Sequence, residues 1–392
     1  MKTLKRTWAD ISLDNLEYNY RSIRAHLPQG TKFLGVMKAD AYGHGAVPVS
    51  RALADLGAEY LAVSNLEEAV QIRRGEVRLP ILILGYTPAE YAANMIFLDI
   101  TQEVHSLEYA RELNEALAGT NYILNVHLKL DTGMTRIGFF AYDNERTLDE
   151  LRQVAQLPHL HIEGVFMHFC VADSRAEADV SFTKLQYKRF MDMLSAMAGV
   201  GIRPEIRHCC NSGATILYPE FALDMVRPGI ITYGNAPSDE LEGALSLRPM
   251  MSLHSMIVQV RTVPAGTDIS YGRLYRTKEE TRVAVLPIGY ADGLSRLLTG
   301  KASFYLQGHQ VPVIGRICMD MCMIDVSNVP EAKPGDVVTI FGYDDDGTLL
   351  PCERLARAQG TINYELLCQI SKRIPRICHR GAETSQILQY IV

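Results

Sequence analysis

The chain reads as an α/β protein: a (β/α)8 TIM-type barrel followed by a mainly antiparallel β domain. Two observations predict this. First, eight short apolar runs alternate with helical or mixed segments through residue 234, and strands alternating with helices make a parallel sheet. Second, the texture changes after about residue 240, where β-type runs such as "SLHSMIVQVRTVPAG" and "ASFYLQGHQVPVIGRICMDMCMIDVS" are separated by Gly, Pro and Asp turns; these read as antiparallel strands and hairpins. The expected division is 1–240 for the barrel and 241–392 for the β domain. A doubly wound open sheet is the runner-up. The chain has no G-x-G-x-x-G and no G-x-x-x-x-G-K-[ST], which weakens a nucleotide-binding version of that alternative.

The eight runs, in order, are "FLGVMK" (33–38), "YLAVS" (60–64), "ILILG" (81–85), "MIFLDI" (95–100), "ILNVHLKL" (123–130), "IEGVFMHF" (162–169), "EIRHCC" (205–210) and "MVRPGIITYG" (225–234). Helical patterns lie between several of them, including "LEYARELNEALAG" (107–119) and "FTKLQYKRFMDMLSAMAGVG" (182–201). Near the end, "TINYELLCQISKRI" (361–374) predicts one apolar-faced helix. The first dozen residues are expected to pair with the C-terminal domain.

Composition narrows the function classes. A net charge of −6 offers no basic field for nucleic acid, and no apolar run approaches a membrane span. The start, "MKTLKRTWADIS", has basic residues but no apolar core behind them, so it does not read as a secretory signal. The eight cysteines form no C-x-x-C pair, and the scattered thiols fit a cytoplasmic protein without a metal site.

In a barrel, chemistry gathers at the C-terminal ends of the strands. Lys38 closes the first run, with Tyr42 four residues on. A lysine there is ordinarily a strand end whose ammonium reaches water; the alternative is a nucleophilic amine that forms a Schiff base with a carbonyl cofactor. In "NVHLKLD", His127, Lys129 and Asp131 share one face, and Arg136 follows in the loop. Two cations so placed need an anion. His168 ends the sixth run, Asn211 and Ser212 the seventh, and Arg227, Gly229 and Ile230 lie in the eighth. The loops after the last two strands commonly hold phosphate in this fold. "NSG" and "RPG" singly mean turns. Together they set a phosphate cup opposite a candidate Schiff-base lysine, the pair that pyridoxal phosphate requires.

These segments resemble the alanine racemase family over nearly the whole chain. "VMKADAYGHG", "LKLDTGMTRIGF", "HCCNSGAT", "VRPGIITYG", "ISYGRLYRT", "LPIGYADGLSR", "GRICMDMCMIDVS" and "GTINYELLC" follow in the family's order. The resemblance implies pyridoxal 5'-phosphate, a homodimer with shared active sites, and racemisation of alanine that supplies D-alanine for peptidoglycan. It implies that Lys38 carries the cofactor and that Tyr42, Ser212, Gly229, Ile230 and Tyr364 hold its phosphate, with Asn211 beside them. Arg227 faces the ring nitrogen, and Arg136 binds the phenolic oxygen and the substrate carboxylate. Lys129 is implied to be carbamylated. Tyr271 and Met319 reach in from the second subunit, with Tyr290 and Asp320 at the entrance. Lys38 and Tyr271 then act as bases on opposite faces of Cα, and His168 assists the tyrosine, whose free phenol titrates near ~10. Serine racemase of the same family is the nearest rival reading; Tyr364 against Cβ favours a methyl group. A non-catalytic cofactor-carrying barrel would lack the second domain and Tyr271, and an amino-acid decarboxylase of this architecture would have a cysteine where Tyr271 stands.

Overall fold

The computed structural model describes residues 6–142 and 144–390, without the side chain of Asn144. By contacts the chain forms two compact units. One holds Leu16–Ala41 and Ala46–Arg248. Its ring strands are Lys32–Val36, Tyr60–Val63, Ile81–Ile83, Ile100–Val104, Leu124–Asp131, Leu160–Phe166, Ile206–His208 and Met225–Val226, all running in parallel, and a short strand off the ring, Phe139–Phe140, pairs with Leu124–Asp131. The ring closes because Met225 lies beside Lys32, while the Asp224 and Arg227 N–H groups donate to Arg207 and Cys210 carbonyls at 3.1 and 2.9 Å. Apolar side chains such as Leu34, Leu61, Leu82, Val126 and Val165 are fully buried in this ring, as parallel strands covered on both faces must be.

Helices follow the expected patterns at Leu107–Ala116 and Glu177–Gly199. Ser106 starts the first of these by accepting the Tyr109 N–H at 3.1 Å. Two runs were assigned differently by the structure. Residues 95–100 are not a strand throughout: Ala92–Phe97 is helical and the strand is Ile100–Val104. Met95 is buried while Phe97 is 70% exposed, a helical division that so short an apolar run cannot announce. In 225–234 only Met225–Val226 is strand, and Ile230–Tyr233 is a 3-10 turn. Pro228 between them lacks the N–H that a continuing ladder needs.

The other unit holds the described residues up to Asn15, Tyr42–Gly45, and the chain from Pro249 onward. It therefore takes two segments from the region assigned to the barrel by a simple cut at residue 240. Thr7–Ser12 runs antiparallel to Met251–Met256 and parallel to Arg376–Arg380, in a mostly antiparallel sheet. The single helix expected over 361–374 is shorter, Asn363–Cys368, and a second helix precedes it at Cys352–Gln359.

Arg376 accounts for the early stop. Its guanidinium, 1% exposed, donates to the carbonyls of Ile370, Ser371 and Ile374, each at 2.6 Å, and to Gly43 at 2.9 Å. Those carbonyls are thus turned away from a helical ladder and satisfied by one buried cation. Gly43 itself sits at φ 81°, and a Cβ there would meet the Leu367 carbonyl oxygen at 2.5 Å. Arg376→Leu should destabilise folding by at least ~3 kcal/mol, since several buried carbonyls lose their donor. Urea unfolding of the two proteins measures it; a loss under ~1 kcal/mol would show that water replaces the guanidinium.

Candidate active site

The segment after Val36 does not continue as strand. Lys38 opens a turn in which Ala39, Asp40, Ala41 and Tyr42 all lie in the left-handed region, at φ 52°, 55°, 55° and 51°. Each such residue costs ~1–2 kcal/mol, so the turn must be held. The Ala39 N–H donates to Glu68 at 2.7 Å, the Ser64 N–H to the same carboxylate at 2.8 Å, and Asp40 accepts the Ala46 N–H at 2.8 Å. Lys38 is therefore the first residue of a clamped turn at the barrel mouth and not the last residue of a strand.

Around that mouth the barrel unit gathers Lys38, Lys129, Arg136 and Arg227 about His168. Burial, then the charges of Arg227, Lys129, Arg136 and Lys38, hold the His168 imidazole well below its ordinary titration range. Lys129 is 4% exposed, its Nζ 5.0 Å from the Phe166 ring centroid. Burial first, then Arg227 and Arg136, lower its amine to about 7, against smaller raising effects from Glu103 and Asp131. Arg227 is 3% exposed and burial lowers it to about 10, which leaves it a cation at neutral pH. It donates to the Met167 and Cys209 carbonyls at 2.8 and 3.0 Å, to His208 Nδ1 at 2.9 Å and to His168 Nδ1 at 3.3 Å.

The other barrel residues singled out by sequence lie on the adjoining loops. Ser212 starts the short helix Ser212–Leu217, and its Oγ accepts the Gly229 N–H at 2.9 Å, tying the loops after the last two strands together. Ile230 begins the next 3-10 turn. Gly213 leaves no room for a side chain: a Cβ would lie 2.9 Å from Ala172 and Asp173. Asn211 is committed to the fold, accepting the Ala214 N–H at 3.0 Å and donating to the Phe169 carbonyl at 3.2 Å. Asp131 likewise accepts three loop N–H groups, from Gly133, Met134 and Thr135, and so shapes the segment that carries the exposed Arg136.

The remaining candidates belong to the second unit. There the Tyr42 ring lies 6.0 Å from that of Tyr364, and burial pushes the Tyr42 phenol up. Tyr271, Met319 and Asp320 line one cleft of about 700 Å³ together with Ser270, Cys318 and Met321. Tyr271 is 70% exposed and stands on a strained turn, with Ser270 at φ 65° and Gly272 at φ 73°. Ser270 Oγ donates to the Arg316 carbonyl at 2.7 Å, which braces that turn. Tyr290 joins the same rim through its N–H to Cys318, at 3.0 Å, and Asp320 pairs with Arg373 at 2.8 Å.

Three polar residues of the barrel strands were not singled out from sequence: the buried Glu103 and His208 and the half-buried Glu163. The available signal was a charged or imidazole side chain inside an apolar parallel strand.

The comparisons with known proteins decide the family. The alanine racemase N-terminal domain model matches residues 11–237 and the C-terminal domain model residues 250–378. The chain belongs to the alanine racemase family. An alanine racemase from Desulfovibrio desulfuricans is 46% identical over 370 residues, 94% of this chain and 97% of that protein. One from Clostridium tetani is 42% identical over the full length of both. Among solved structures, alanine racemase from Clostridium difficile 630 is similar with a TM-score of 0.93 and 39% identity over all of both chains. The Bacillus anthracis enzyme, solved with bound L-Ala-P, gives a TM-score of 0.93 at 34% identity, covering 100% of this chain and 99% of that one.

The Lys129 amine has a consequence for folding. The unfolded chain keeps that proton up to the ordinary lysine value, 10.5, whereas the folded chain releases it at about 7. The unfolded state therefore binds more protons in between, and stability rises with pH across that window. In CO2-free buffer, Lys129→Met should be more stable than wild type at about pH 6.5. The gap should narrow toward about pH 9, by no more than ~1.4 kcal/mol per pH unit. A gap that urea unfolding finds independent of pH would contradict an amine of this kind.

Proposed function

We propose that this chain is a pyridoxal-phosphate-dependent isomerase that interconverts L- and D-alanine, working in the cytoplasm as a homodimer and supplying D-alanine for peptidoglycan. One observation carries the reading: a clamped lysine stands among Lys129, Arg136 and Arg227 at a barrel mouth, in a member of the alanine racemase family. The residues present fit the cofactor chemically. Four cationic side chains crowd one mouth with Glu103 and Asp131 as nearby anions, and a bound phosphate would offset that charge. When bound, pyridoxal phosphate supplies the electron sink that makes an amino acid's Cα proton removable.

The protein's own groups do the rest. Lys38 would hold the cofactor, and its amine would take or return a proton on one face of Cα. Tyr42, Ser212, Gly229, Ile230 and Tyr364 hold the phosphate, with Asn211 fixing the loop beside them. Arg136 holds the substrate carboxylate. With its amine lowered to about 7, Lys129 is about half neutral near pH 7, and the neutral form is the one whose nitrogen attacks CO2 with loss of a proton to solvent. The resulting carbamate is an anion between cations and orients Arg136. Arg227, a permanent donor, would face the ring nitrogen, where it would disfavour protonation and moderate the electron sink. The partner subunit's Tyr271 serves the other face of Cα, with Met319, Tyr290 and Asp320 bounding the entrance. The exposure of Tyr271, Leu274, Met319 and Met321, at 70, 62, 53 and 48%, supports a second copy covering this rim. His168 accepts at Nδ1 from Arg227, so its proton is on Nε2 and can donate to a phenolate.

Tyr271→Phe keeps the ring and removes the titrating oxygen. It should slow solvent deuterium exchange into L-alanine by ~10²–10⁴-fold, and into D-alanine far less, because Lys38 still serves that face. Exchange is read by NMR of the recovered amino acid. Equal losses for both enantiomers would reject a two-base scheme, and faster turnover of serine than of alanine by wild type would reject the substrate.

A further inference from the structure

Beneath Arg227 a hydrogen-bonded chain crosses the barrel core. Arg227 Nη1 lies 2.9 Å from His208 Nδ1, His208 Nε2 lies 2.9 Å from His127 Nδ1, and His127 Nε2 lies 3.0 Å from Glu163 Oε2. Both histidines are fully buried. Glu163 also accepts the Tyr60 hydroxyl at 2.8 Å and the Thr101 hydroxyl at 3.3 Å.

The direction of every bond follows from its ends. A guanidinium can only donate, so His208 Nδ1 accepts and its proton sits on Nε2. That N–H donates to His127 Nδ1, which places the His127 proton on Nε2, facing an acceptor-only carboxylate. Burial holds both imidazoles neutral, and the bonds from His127 and Tyr60 keep Glu163 ionised. A cation and an anion are thus joined by two neutral rings in fixed tautomers.

The backbone is shaped around this chain. Val126 pairs with Ile162 but His127 pairs with Gly164, so Glu163 is the extra residue of a β-bulge, a device that re-aims a side chain. Gly164 vacates the space that the His127 ring fills: a Cβ there would lie 2.5–2.6 Å from three ring atoms. Phe166 stacks on His208 at 4.9 Å and 8°.

We propose that Glu163 is a remote positioning residue that acts through His127 and His208 to fix the guanidinium of Arg227 as a donor at the barrel mouth. This rests on the reading above, in which Arg227 faces the cofactor ring. The carboxylate anchors the far end of the chain, and the polarised hydrogen bonds carry its influence to the guanidinium. It touches neither substrate nor cofactor.

The test uses ¹⁵N-histidine-labelled full-length protein, with and without cofactor, and the variants Glu163→Gln and Tyr60→Phe. In wild type, ¹⁵N spectra should show His127 and His208 neutral and protonated on Nε2 in both forms. An imidazolium or an Nδ1–H tautomer at either would overturn the relay, whatever the variants do. Glu163→Gln keeps an acceptor but removes the charge. It should lower kcat for alanine about tenfold, leave KM within about threefold, and shift the visible absorption of the bound cofactor. Tyr60→Phe leaves in place the stronger support of the charge, the bond from His127, and should keep the wild-type spectrum. A folded Glu163→Gln protein with wild-type kcat and absorption would overturn the proposal. Wild-type protein with the stated tautomers and no alanine racemisation would overturn the functional reading and support the relay itself.

Discussion

The barrel unit is organised by the repulsion among cations at its mouth. Lys38, Lys129, Arg136 and Arg227 act on one imidazole, His168, and no arrangement of apolar side chains can relieve that. Each cation is settled in its own way. Arg227 spends its donors on the Met167 and Cys209 carbonyls and on two histidines. Lys129 lowers its proton affinity. Arg136 stays exposed on a loop shaped by Asp131. Lys38 sits on a left-handed turn clamped by Glu68 and Asp40. What remains is a site with spare positive charge, suited to a ligand that brings phosphate and carboxylate oxygens.

The supporting polar groups are spent on fixing geometry. Glu68, Asp40 and Asp131 each accept from backbone N–H groups beside a candidate residue. Ser212 ties two mouth loops through Gly229. In the other unit, Arg376 serves as a hub for the carbonyls of Ile370, Ser371, Ile374 and Gly43, and Gly43 directly follows Tyr42. Left-handed backbone recurs beside candidate residues: Ala39–Ala41 after Lys38, and Ser270 before Tyr271. Such strain persists only where neighbouring bonds over-determine it.

Much of this was legible in the sequence, for reasons that can be named. Parallel strands buried on both faces show as apolar runs, so the runs at 60–64 and 81–85 mark the strands Tyr60–Val63 and Ile81–Ile83. Polar residues at run ends, such as Lys38 and Arg227, stood out against that background. Positions 95–100 and 225–234 were misread because four to six apolar residues carry no decisive period. The helix expected over 361–374 stops early because Arg376, two residues past its expected end, turns back onto the carbonyls of Ile370, Ser371 and Ile374, contacts that an apolar helical pattern does not show. Glu163 was hidden by its bulge: strand alternation takes it for an outward residue, and only the register shift at His127 shows where it points.

Covalent trapping shows whether Lys38 is the amine that holds the cofactor. The protein saturated with pyridoxal phosphate is reduced with borohydride, digested and mapped by mass. A stable pyridoxyl label is expected on the peptide carrying Lys38, with the visible band of the bound cofactor lost on reduction. A label on Lys129 or on another lysine, or no covalent label in a protein that racemises alanine, would contradict it.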